Sequence, residues 1–81
     1  MEHDITIAVH LVEDSTDTHV KLVLDLRGDH FEAIGKSRRN PIDPPLPEIG
    51  EELAIARALA NLQEAIMETA LDKVERFTVH V

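Results

Sequence analysis

The chain has 81 residues, no cysteine, two phenylalanines and neither tyrosine nor tryptophan, and its formal net charge is −8. That composition predicts one domain over residues 1–81 with an aliphatic core, and it excludes disulfides, thiolate metal sites and thiol catalysis. An acidic field of this size disfavours nonspecific binding to nucleic acid or to an anionic membrane.

A chain this short buries only about 60–65% of its unfolded surface, so a partner subunit would help to complete the core. The start MEHDITIAV has no basic segment and no apolar run of signal-peptide length. No stretch approaches the roughly 20 apolar residues of a membrane span, and the expected location is cytoplasmic.

Ile5, Ile7, Val9 and Leu11 alternate with Thr6, Ala8, His10 and Val12, which is the period of a half-buried strand. Asp14-Ser15-Thr16-Asp17 suits a four-residue hairpin loop, because its side chains bond readily to their own backbone. Val20, Leu22, Leu24 and Leu26 then define the inner face of a second strand. Gly28-Asp29 reads as a type II′ turn with Gly at the positive-φ position. A third strand follows from His30 to about Arg38, with Phe31, Ala33 and Gly35 facing inward.

Those loops predict an antiparallel meander in the order 1-2-3. Leu11 would face Val20, Val9 would face Leu22, and Leu26 would face Phe31. On the outer face Ala8 would meet Val23, and Val23 would meet Ile34, leaving a small apolar strip.

Four prolines between Asn40 and Pro47 forbid helix or ladder pairing there. A long helix begins at Pro47, or at Glu51 with Gly50 as its cap, and runs to at least Thr69. On a 100° wheel its apolar residues form two seams. Ile55, Leu59, Leu62 and Ile66 make the seam expected to cover the sheet. Ile49, Leu53, Ala56, Ala60, Met67 and Leu71 make a second, left for another partner. The tail Leu71–Val81 continues the helix, forms a short second helix, or ends as a strand over its alternating Phe77–Val81.

The block from Asn40 to Leu62, NPIDPPLPEIGEELAIARALANL, resembles a family of short actinobacterial proteins of unknown function with a double-stranded-RNA-binding-domain-like fold. The matching residues are Asn40-Pro41, Asp43, the run Pro47–Leu53 and Ala56-Arg57-Ala58-Leu59, with Gly35 and Arg38 upstream. The resemblance implies a β-β-β-α fold and a homodimer. Some members are linked to dormancy and likened to ribosome hibernation factors. It implies no catalytic residue.

Among individual residues, Arg57 has no ion-pair partner at the i±3 or i±4 positions of its own helix. Its guanidinium is read as binding carbonyls of the Pro-rich loop or Asp43, in preference to clamping a phosphate or carboxylate. Arg38, Asn40 and Asp43 are the other structural or binding candidates, with Arg38 inside the basic cluster Lys36, Arg38, Arg39. That cluster lacks an aromatic for base stacking, and the helix start carries Glu48, Glu51 and Glu52 where a double-stranded-RNA-binding domain is basic. Helix-start electrostatics account for the three glutamates better than acid–base chemistry does. None of the five histidines has metal-ligand spacing; His10, His19 and Asp17 are the nearest approach to a site.

The expected fold is α+β, a three-stranded antiparallel meander under one long helix. The expected function is a non-enzymatic homodimeric interaction module with no cofactor and no metal. Its partner is itself, with a further protein or the ribosome implied by the resemblance. The alternative is a small-ligand or RNA-binding domain. The candidate dimer contact is Ile49, Leu53, Ala56, Ala60 and Met67, in preference to the outer strip at Ala8, Val23 and Ile34.

Overall fold

A computed structural model describes residues 1–42 and 46–78 of the chain. Its elements are β1 (Ala8–Glu13), β2 (Asp17–Leu26), β3 (Asp29–Arg38) and α1 (Pro47–Thr78). The strands form one antiparallel sheet in the order β1-β2-β3, and α1 lies across the inner face of β3 and β2. This is the expected two-layer α+β fold.

The β1–β2 hairpin has the expected register, with Leu11 opposite Val20 and Val9 opposite Leu22. Asp14 organises its loop: one carboxylate oxygen accepts from the Thr16 and Asp17 amides, each at 2.8 Å. Those bonds hold the Asp14 carboxyl below its ordinary pKa, because they favour the charged form.

The β2–β3 hairpin differs from expectation. Its two central residues are Arg27 and Gly28, with φ of 48° and 86°, which is type I′ turn chemistry. Leu26 therefore faces Asp29, Leu24 faces Phe31, and Val23 faces Glu32 rather than Ile34. The slip is two residues, so every side chain keeps its face. Val20, Leu22, Leu24, Phe31 and Ala33 still form the sheet side of the core.

The helix also differs from expectation in rotation. Ala54, Ala58 and Leu62 are its buried residues, with Ile55 and Ile66 partly buried beside them. Leu59, placed in the sheet-facing seam by the wheel, is 45% exposed. The cause is Gly35. A Cβ there would lie 2.1 Å from the Ala54 carbonyl oxygen and 2.4 Å from the Ala58 nitrogen. Backbone of helix and strand approach through a glycine and two alanines, and that close approach turns α1 by roughly 70° at 100° per residue.

The N-terminal turn is seated on two buried hydroxyl residues, Thr18 and Ser37, which face each other across β2 and β3. Ser37 Oγ donates to the Gly50 carbonyl at 2.7 Å. At the other end Lys73 of α1 forms an ion pair with Asp29, the first residue of β3. The helix continues past that point to Thr78, so the tail is helical as far as it is described; Val79–Val81 lie outside the described residues.

Because α1 sits over β3 and β2, the inner face of β1 is only partly covered. Leu11 packs against the core, but Val9 is 53% exposed, and Ile5 and Ile7 precede the strand in the open.

Candidate functional site

A helix of 32 residues is about 48 Å long at 1.5 Å per residue, and one face of it suffices to cover the sheet. Ala58 marks the middle of that face and is fully buried. Ile49 and Met67 each stand nine positions from Ala58, about 180° around the helix. They are 47% and 49% exposed. Leu53 is similarly exposed, and Ala56 and Ala60 lie open between them. The five candidate contact residues thus share one uncovered face, directly opposite the sheet. Toward the C-terminus Leu71 and Val74 extend it, and Phe77, on the flank of the helix beyond the end of the sheet, is 83% exposed.

The outer sheet face is different in kind. Val23 is half-buried, and Ile34 is exposed but faces Lys21. Lys21 and Glu32 form an ion pair at 3.3 Å between the two apolar residues. His30 Nδ1 contacts Asp25 at 2.6 Å, and its Nε2 contacts Glu32 at 3.2 Å. Hydrogen bonds that the protonated His30 ring donates to these two carboxylates raise its pKa; the His30 and Lys21 contacts in turn lower that of Glu32. A charged network therefore divides the apolar strip.

The remaining candidates sit at edges. Arg57 Nη1 donates to the Lys36 carbonyl at 2.8 Å, and Asn61 Nδ2 donates to the Ile34 carbonyl at 2.7 Å. Among the described residues Arg57 thus reaches the free edge of β3, because α1 lies alongside that strand. Asn61 was not singled out from sequence, although its i+4 spacing from Arg57 places both on one flank. Arg38 is exposed, with Nε 3.9 Å from Asp17. Asn40 accepts from the Ile42 amide at 3.2 Å, a local turn bond. Asp43 lies outside the described residues.

His10 and His19 lie near each other on the outer face, opposite Lys21 and Val12 respectively. Among the described residues no group of three or more His, Asp or Glu side chains assembles into a metal-binding cluster. Glu13 and Glu51 meet where β1 passes the helix start. Desolvation first, then a hydrogen bond and repulsion from Glu51, raise the Glu13 pKa. No described helix is long and apolar enough to cross a membrane.

A family model described as Rv2632c-like matches residues 3–81. The chain belongs to the Rv2632c-like family. Rv2632c of Mycobacterium tuberculosis, itself uncharacterised, is 35% identical over 72 residues, covering 89% of this chain and 77% of its own length. The uncharacterised protein Mb1767 of Mycobacterium bovis is 33% identical over 73 residues, covering 90% and 78%. The crystal structure of Rv2632c superposes with a TM-score of 0.91 at 31% identity, over 100% of this chain and 96% of that one. The family assignment agrees with the actinobacterial resemblance carried by the Asn40–Leu62 block.

Proposed function

We propose that the protein is a non-enzymatic homodimeric interaction module, and that the outward face of α1 is its contact surface. The observation that carries this reading is the position of Ile49, Leu53, Ala56, Ala60 and Met67, on one face opposite the sheet. Soluble monomers seldom expose a contiguous apolar surface of several hundred Å² outside a binding site. Ala56 and Ala60 let another backbone come close. A second copy offers the same surface, and a twofold contact covers both at once.

The dormancy and ribosome association implied by the family resemblance would then be exercised by the dimer. The acidic charge and the acidic start of α1 argue for a protein partner over direct contact with phosphate. Sedimentation equilibrium of the purified protein at tens of micromolar tests the reading. A mass of two chains is expected, and a single-chain mass across that range contradicts it.

A further inference from the structure

The exposed face of α1 has a regular spacing with a geometric consequence. Ile49, Leu53, Ala56, Ala60, Gln63 and Met67 follow one another at alternating steps of four and three. The same steps lead on to Ala70, Val74 and Phe77. All are exposed, and an alternation of four and three is the repeat of a coiled-coil seam. Such a seam packs against another helix, and the order of large and small residues along it distinguishes parallel from antiparallel pairing.

We infer that two copies of the chain pair their α1 helices antiparallel about a twofold axis at the level between Ala60 and Gln63. This rests on the homodimer reading above and specifies its geometry. In this register Ala56 meets the partner's Met67, Leu53 meets the partner's Ala70, and Ala60 meets the partner's Gln63. Each small residue faces a longer one, so the seam fills without voids. Ile49 meets the partner's Val74. Phe77, beyond the end of its own sheet, meets the partner's Leu46, the residue just before the helix and also exposed. The twofold axis repeats every layer.

The flanking charges fit the same register. Arg57 comes beside the partner's Glu64, and Glu52 beside the partner's Lys73. Arg57 spends one guanidinium nitrogen on the Lys36 carbonyl and keeps other donors. Lys73 also meets Asp29 of its own chain, and its three donors can serve both carboxylates. The half-exposed Leu59 falls beside the partner's Ile66. Parallel pairing places Ala56 on Ala56 and Ala60 on Ala60 in successive layers, leaving gaps, and stacks Gln63 on Gln63. Antiparallel pairing also opposes the two helix dipoles. Since the seam faces away from the sheet, the sheets lie outermost and the dimer has four layers, sheet-helix-helix-sheet.

The absence of cysteine makes the register readable by crosslinking. Single variants Ala56→Cys and Met67→Cys are purified, then oxidised separately and as a mixture exchanged under reducing conditions. Antiparallel pairing predicts a covalent dimer in the mixture, linking one variant to the other, and little in either variant alone. The pair Leu53→Cys and Ala70→Cys, treated the same way, gives the same answer if the first pair folds poorly. A covalent dimer of Ala56→Cys alone overturns the inference in favour of parallel helices. If no combination crosslinks while sedimentation still shows dimers, the helix register is wrong but the homodimer stands. A monomeric wild type removes both.

Discussion

Gly35 and Ala58 are in contact so close that neither can grow: a Cβ on Gly35 would fall 2.8 Å from the Ala58 Cβ. The nearest obstacle is backbone, the Ala54 carbonyl oxygen at 2.1 Å, so no rotamer change relieves the clash. This contact fixes the rotation of α1 on the sheet and thereby decides which helix face is left uncovered. Gly35→Ala should destabilise the fold by about 3 kcal/mol, the upper end of ordinary overpacking costs. Chemical denaturation measures it. A loss below about 1 kcal/mol would mean that helix and strand do not touch at Gly35.

Arg57 and Asn61 cap two carbonyls on the free edge of β3. Unpaired strand edges invite pairing with other chains, so these side chains also protect solubility. Arg57→Ala and Asn61→Ala should each cost about 1 kcal/mol, the usual net value of such a bond. The double variant should aggregate more readily on heating. If Arg57→Ala leaves thermal stability unchanged but abolishes binding to some partner, Arg57 is a recognition residue instead.

The His30 network predicts a pH dependence with a definite sign. The folded-state pKa of His30 is raised by Asp25 and Glu32. Its contribution is therefore fully present below the unfolded histidine pKa and is lost as pH rises through the folded value. Glu32 has the opposite dependence: its pKa is lowered, so its contribution is lost as the solution turns acid. Relative to wild type, His30→Gln should lose most stability in weakly acidic solution and least above neutrality. A difference that grows with rising pH would contradict the assignment.

Much of this architecture is legible in the residues. The alternation of Val20, Leu22 and Leu24, the proline punctuation before Pro47 and the length of the apolar helical pattern define strand, stop and helix. Three features are not legible for physical reasons. A non-glycine residue, Arg27, takes positive φ, so the turn moves one residue back and the register slips by two. Gly35 has no side chain to mark it as a contact, yet it outweighs Leu59 in setting the helix rotation. The lateral position of α1 over β3 and β2 is a tertiary choice that leaves Val9 open even though its strand alternates. The uncovered seam of α1 at Ile49, Leu53 and Met67 is legible because its apolar residues have no place left in one chain.

Nucleic-acid binding is predicted to be weak. The net charge is −8, and Glu48, Glu51 and Glu52 occupy the start of α1. Titration of a generic RNA duplex at physiological salt should show no submicromolar affinity, and any residual binding should fall steeply as salt is raised. Tight, salt-resistant binding would reverse the reading of the basic residues Lys36, Arg38 and Arg39.

If the face of α1 opposite the sheet joins two copies, as proposed above, a charge placed there should separate them. Ala60→Glu puts a charge at the middle of that face without touching the core. Val23→Glu does the same on the outer face of the sheet. Sedimentation equilibrium of the two variants, with circular dichroism to confirm folding, separates the surfaces directly. Ala60→Glu should be a folded monomer and Val23→Glu a dimer. A folded monomer from Val23→Glu alone, with Ala60→Glu still dimeric, would move the contact to the sheet and contradict the account.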